Sequence, residues 1–248
     1  MGLFNNLGTQ ELEKSEDRLG GFKAIDTDIY TGPVKALFAG KSKEGAMSLT
    51  VVVDIGGGRE YKETLWITNK KGENFFTKDN KKQPLPGFTV ANEIALMTTE
   101  KELHQLDTEE KVIKLYDFEL KKEVPTTVQM VTEAIGKPVA LGILKVLENK
   151  SKKNDSTGKY EPIEETREVN IIDKVFHPEL HVTIPEARDQ KPAEFWDGWL
   201  KRNKGQLRDK RDIKDGDAGA KSGGKGGSSG PPQAGGGGQP PKKSLFGK

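Results

Sequence analysis

A mainly β chain folded as one small barrel is what the sequence predicts, and three observations predict it. Apolar and polar residues alternate over Ala46 to Ile55, the triple glycine Gly56-Gly57-Gly58 follows, and a second alternating run starts at Arg59. Hydrophobic residues make up 33 % of the chain against 31 % charged, which limits the core to a modest size and suits a small barrel better than a large α/β enzyme. The last thirty-odd residues differ in composition from everything before them, and the length that remains supports about one domain.

Taken in order, Phe22 to Asn69 reads as three strands. Met47, Leu49, Val51, Val53 and Ile55 form the core face of the second strand, and Tyr61, Leu65 and Ile67 that of the third, interrupted by Glu63. The glycines between them provide a turn free of side-chain strain, so the two strands form a hairpin. After a polar loop with Pro84 and Pro86, Thr89 to Met97 has helical character and Val112 to Glu119 reads as a strand or hairpin arm. Val128 to Ile135 reads as a second short helix stopped by Gly136 and Pro138, followed by a continuously apolar strand, Val139 to Leu147. A lysine-rich loop, Asn149 to Lys159, leads to a last strand at Arg167 to Phe176. Three strands, an interruption containing helix and two further strands is the order of the OB-fold, a five-stranded Greek-key barrel that binds oligonucleotides across its second and third strands.

The expected division is a flexible N-terminal segment over 1–20, the OB-fold domain over 21–185, a C-terminal helix packing on the barrel over 186–213, a disordered Gly-rich linker over 214–241 and a docking peptide over 242–248. The helix is expected over Pro192 to Asp209, with Phe195, Trp196, Trp199 and Leu200 as its apolar stripe. Eleven of the 23 residues from Gly216 to Gly238 are glycine, a composition that cannot bury enough surface to offset its ordering entropy.

Charge and residue types narrow the function. The net charge is +2; the five lysines and two aspartates from Asp215 onward carry +3 of it, leaving −1 on the remainder. A near-neutral body with clustered lysines suits a local groove rather than a wholly basic surface. Absence of cysteine excludes disulfides and thiolate zinc sites, and no apolar run approaches the roughly 18 residues of a membrane span. No secretion signal opens the chain, so a cytoplasmic protein is expected. Ala39-Gly40-Lys41-Ser42 ends like a phosphate-binding loop, but Lys35 stands where that motif needs glycine. His177 and His181 lack the order and the further ligands of a zinc site, and His104 has no evident catalytic partner. No metal, cofactor, small-molecule substrate or enzymatic reaction is indicated.

The second alternating strand is the informative one, because it leaves Lys62, Thr64, Trp66 and Thr68 on the face opposite the core. Exposed aromatics stack on bases of any sequence while lysines hold phosphates; burial of Trp66 beneath the C-terminal helix is the competing reading. Downstream come Lys70, Lys71, Phe75, Phe76, Lys78, Lys81 and Lys82, cations interleaved with two rings that face opposite ways in extended chain, one in and one out. Lys41 and Lys43, and Lys150, Lys152, Lys153 and Lys159, fall in the loops that flank an OB groove. The final peptide, with Lys242, Lys243, Ser244, Leu245, Phe246 and Lys248, sets two large apolar side chains among lysines at the end of a tether. Its receptor is expected to be acidic around an apolar pocket.

The runs Phe22 to Tyr30, Gly40 to Lys43, Asn69 to Phe76, Gln83 to Phe88, Arg167 to Asn170 and Asp173 to Phe176, with the ending Lys242 to Lys248, resemble the single-stranded DNA-binding proteins of Enquatrovirus-like podophages. The resemblance implies an OB-fold protein of phage DNA replication, recombination and repair in the bacterial host cytoplasm, working with phage replication proteins. It also implies activation of late transcription by the host RNA polymerase, whose β′ subunit is contacted by C-terminal basic residues matched here by Lys242, Lys243, Ser244 and Lys248. The aromatic residue that the type member needs for DNA binding corresponds to Phe75 or Phe76. Two other readings share these features: a transcription-recruitment protein with secondary DNA binding, and an RNA-binding module of cold-shock type.

Overall fold

The computed structural model describes residues 24–117, 120–156, 158 and 160–212. Its centre is one long strand, β1 (Asp28–Lys41), that serves two sheets. Residues Asp28 to Pro33 pair with β8 (Pro138–Lys153), which carries β9 (Tyr160–Phe176) on its far side. From Val34 onward β1 pairs with β2 (Met47–Asp54), and β2 with β3 (Glu60–Trp66). The main path is therefore β9-β8-β1-β2-β3, all antiparallel. At the switch Pro33 lies opposite Pro138, and neither can donate to the ladder, while just beyond them Val34 donates to Lys137 O and accepts from Gly136 N.

Further along β1 the edge left by β8 is taken by β7 (Lys122–Met130), which forms a hairpin with β6 (Glu109–Asp117). The sequence predicts a strand or hairpin arm at 112–119 here and a helix at 128–135. Residues 128–130 instead belong to β7, and only a single 3-10 turn, Thr132–Ala134, follows. Val128 and Val131 have helical spacing, but β-branched side chains beside an open strand edge pair with it instead, with Val131 N donating to Leu37 O at 2.8 Å.

Helix α1 (Pro86–Thr99) starts with proline in its first turn, ends where Glu100 turns left-handed, and buries Ala91, Ile94 and Ala95 completely. It packs against β3, β8 and β9 and, with Val34, Leu37, Val51, Val53, Val139, Leu141 and Val175, completes the principal core. Met47, expected in that core, is exposed at the end of β2. Glu63 does point inward, and its presence has a reason: β3 and β9 share no backbone ladder, and the Glu63 carboxylate spans the gap, accepting from Ile172 N at 2.7 Å and Tyr61 Oη at 2.6 Å. Burial pushes the Glu63 carboxyl above its ordinary range, and those two donors act against that shift.

A second core lies on the other side of β8 and β9. Helix α3 (Phe195–Asn203) lays Trp199 over Ala140, Leu144, Val146 and Phe176, with Trp196 and Leu200 at its margin. Gly142 makes room, since a Cβ there would stand 3.1 Å from the indole. An extra residue in β9 opposite Gly142–Ile143, Asp173, accepts the indole N–H at 2.7 Å. The expected helix to Asp209 stops at Asn203, because Gly205 turns left-handed and the chain enters β10 (Leu207–Asp209), parallel to β8. Between the strands and α3, α2 (Ile184–Arg188) is fixed by Glu186, whose carboxylate accepts from Thr183 N, Glu194 N and Phe195 N. Among the described residues no helix is long and apolar enough to cross a membrane.

Two stability predictions follow from this packing. Trp199→Ala removes the centre of the second core and lowers unfolding free energy by about 3–5 kcal/mol, measurable by urea denaturation. Burial pushes the Glu93 carboxyl on α1 up to about 6, against the pull of Lys174 and Arg188. A raised folded pKa means that the folded state binds the proton more tightly, so the charge costs stability above that pKa and the cost disappears as pH falls towards 4.5. Glu93→Gln is expected to stabilise the protein by roughly 2 kcal/mol at pH 8 and not at pH 4, read as the difference between melts at the two pH values.

Candidate nucleic-acid interface

Register determines which side chains share the outer face of the β1-β2-β3 sheet. Trp66 lies opposite Ser48, which lies opposite Gly40; Thr64 lies opposite Thr50 and then Phe38; Lys62 lies opposite Val52 and then Ala36. Phe38 is in turn opposite Met130 of β7, so the face continues into the β6–β7 hairpin. Phe38, Val128 and Met130 are buried against Ile113 and Leu115, which raises a small apolar ridge on the β7 side. Ser48, Thr50 and Gly40 form a floor of small residues between that ridge and Trp66, with the Thr50 and Thr64 hydroxyls 3.0 Å apart. Trp66 is 50 % exposed, and Lys62 and Thr64 are exposed beside it. The C-terminal helix covers β8 and β9, not this face.

Two turns meet at the Trp66 end of the sheet. The β1–β2 turn carries Lys41 and Lys43; the turn after β3 carries Lys70 and Lys71; Gly45 of the first lies against the Lys70 carbonyl of the second. Lys41 and Lys71 are exposed, whereas Lys70 is ion-paired with Glu44 and is less suited to a phosphate than expected. The side chain of Asn69 shapes its turn, accepting from Lys71 N and Glu73 N at 2.9 and 3.0 Å.

The lysine-rich stretch beyond is not a loop but a separate hairpin, β4 (Phe75–Lys78) with β5 (Lys81–Pro84). Its ends come together at Trp66: Gly87, at the start of α1, packs on the Trp66 backbone, where a Cβ would meet Trp66 N at 2.9 Å and overlap its carbonyl oxygen. The two rings point to opposite faces of this hairpin, so they do not line one trough together. Phe75 is half-buried with the Lys82 ammonium 4.3 Å from its ring centre; Phe76 is 40 % exposed, on the face that carries Lys78 and Lys81.

Other expected contributors fall elsewhere. The first part of the lysine-rich loop at 149–159, as far as Lys153, is strand, as β8 and β9 run on into a long two-stranded arm, and Lys159 lies outside the described residues. There Lys150 pairs with Glu165 at 2.9 Å and Arg167 with Glu148 at 2.8 Å, so that arm balances its own charge. His177 accepts at Nδ1 from Glu179 N and Leu180 N, its pKa lowered chiefly by burial, and His181 stacks on Trp196 at 4.0 Å. Among the described residues no cluster with metal-ligand geometry occurs. Lys242, Lys243, Ser244, Leu245, Phe246 and Lys248 lie outside the described residues. The sequence reading missed Gly40 and the small floor; Gly40 drew attention only as a false phosphate-loop match, and its meaning depends on a cross-strand register.

Comparison with protein-family models, curated proteins and solved structures gives no match for this chain.

Because Gly87 has no space for a side chain beside Trp66, Gly87→Ala is expected to shift that strand end and to destabilise the fold by about 1–3 kcal/mol. A changed Trp66 emission together with a lower melting temperature checks it; unchanged values of both contradict the contact.

Proposed function

We propose that this protein is a sequence-nonspecific single-stranded DNA-binding protein built on an OB-type barrel. The strand path β9-β8-β1-β2-β3 and the placing of α1 between β3 and β8 support the barrel assignment. The observation that carries the function is Trp66: a half-exposed indole at the edge of a small-residue floor, with Lys62 on the same face and Lys41, Lys71 and the β4–β5 lysines around it. Bases stack on the ring without readout of their edges, and the ammonium groups hold the phosphates. The strand lies across β1, β2 and β3, with Phe76 offering a second ring where the hairpin projects. Following the resemblance, the setting is replication and recombination, and the C-terminal peptide recruits a protein partner such as the host polymerase.

Titration with oligo-dT, followed by tryptophan emission, tests this reading. Trp199 is buried and Trp196 is stacked on His181, so quenching reports on Trp66. Trp66→Ala is expected to abolish the quenching and weaken binding by about 1–3 kcal/mol, roughly 5- to 150-fold. Each of Lys62, Lys71, Lys78 and Lys81 replaced by Ala is expected to reduce the slope of log K against log salt by about 0.7. Unquenched emission with unaltered affinity in the Trp66 variant contradicts the reading, and tighter binding of oligo-U than of oligo-dT transfers it to RNA.

A further inference from the structure

The β6–β7 hairpin contributes only one side of one strand to the fold. Among the described residues β6 is hydrogen-bonded to β7 and to no other strand, so along Glu109 to Leu115 the backbone groups of alternate residues face an open outer edge. Its side chains divide by face. Lys111, Ile113 and Leu115 lie with the apolar ridge, whereas Glu110, Val112, Lys114 and Tyr116 lie on the opposite face. Val112 is 68 % exposed and Tyr116 is 52 % exposed there. An exposed edge with large apolar side chains and no proline calls for a partner strand.

The pattern Glu110-x-Val112-x-Lys114 is complementary to its own reverse. We infer that β6 pairs with β6 of a second copy, antiparallel and centred on Val112. In that register Val112 meets the partner's Val112, Glu110 faces the partner's Lys114, and Lys114 faces the partner's Glu110, so one strand supplies two opposite-charge cross-strand pairs. Centring on Ile113 forms no opposite-charge pair within β6; centring on Lys111, Lys114 or Glu110 sets like charges against each other at the axis. Charge therefore selects the Val112 register. Gln129 Nε2 donates to Glu110 at 3.3 Å from the neighbouring position of β7 and holds that carboxylate on the pairing face.

A twofold axis through this pair is normal to the sheet, so both copies keep the same face outward. The Val112 contact lies on the side opposite the Trp66 floor. Dimerisation therefore leaves that floor open and places two floors on one side of a continuous sheet, where a single strand crossing both is held bivalently. This last consequence rests on the proposed nucleic-acid reading; the pairing itself does not.

Sedimentation of the full chain without nucleic acid tests the pairing. The parent is expected to show a concentration-dependent monomer–dimer equilibrium. Glu110→Lys or Lys114→Glu alone converts both attractive pairs to repulsive ones and weakens the dimer at least about tenfold. The double variant E110K/K114E exchanges the charges and is expected to restore dimerisation to near the parent value. Recovery in the double variant also excludes misfolding as the cause of the single-variant losses. A parent that remains monomeric up to its solubility limit, a dimer indifferent to the single changes, or a double variant no better than the singles overturns the inference. Affinity for short oligo-dT, measured on dilute monomer, is expected to be unchanged in all variants, so failure of the pairing and failure of the DNA-binding reading give different results.

Discussion

Everything in this fold depends on β1 changing neighbours partway along its length. At the change Pro33 faces Pro138, and neither residue has an N–H to give to the ladder. Gly32 makes the bend possible: any Cβ there would overlap the Asp54 carbonyl of β2. Once β8 leaves, the same edge of β1 accepts β7 at Phe38 and Ala39. Between the two, Val34 donates to Lys137 O and accepts from Gly136 N, and Val131 N donates to Leu37 O, so β7 and β8 follow one another along a single edge of β1 with the Thr132–Ala134 turn between them. That edge is where the β6–β7 hairpin joins, and it gives the face bearing Trp66 its opposite ridge.

The other requirement is a seam that closes without a strand ladder. β3 and β9 approach each other at Glu63 and Ile172, and a carboxylate replaces the missing backbone acceptor. Burying such a group is costly unless its oxygens are bonded, and here the Tyr61 hydroxyl and the Ile172 amide both donate to it. The seam therefore stays in register while β3 remains an edge strand. Its outward residues Lys62, Thr64 and Trp66 are exposed, with no element of the described residues layered over that side of the sheet.

The sequence makes legible those parts of this architecture where periodicity and burial coincide. Leu49, Val51, Val53, Tyr61 and Leu65 alternate because one side of their strands faces the core, and the odd-one-out on the other side, Trp66, was identifiable for the same reason. Of the apolar stripe of α3, Trp196, Trp199 and Leu200 pack in its second core, whereas Phe195 at the first turn stays exposed. The β6–β7 hairpin hid itself: Val112-Ile113 and Leu115-Tyr116 are apolar in adjacent pairs, one of each pair packing on the ridge and the other facing outward, so no period of two survives. The helix expected at Val128 failed because its spacing was local and its pairing with β1 was not. For Phe75 and Phe76 the sequence implied opposite directions, but only the hairpin assigns Phe75 to Lys82 and Phe76 to the exposed side.

Composition ranks the lysine-rich segments as equivalent; pairing separates them. Along the arm from Glu148 to Glu168 there are six acidic residues and five basic ones, and ion pairs at Lys150 and Arg167 leave little field for a polyanion. Along β6 the opposite charges sit two residues either side of Val112, too far apart to neutralise each other within the strand but correctly spaced for a second copy. In the β4–β5 hairpin Asp79 is the one acid among Lys78, Lys81 and Lys82, beside two rings. A phosphate brought there gains attraction without first displacing a carboxylate. The same residue type thus braces one arm, spaces the charges of another and is gathered beside two rings on the third, and the third lies at the root of Trp66.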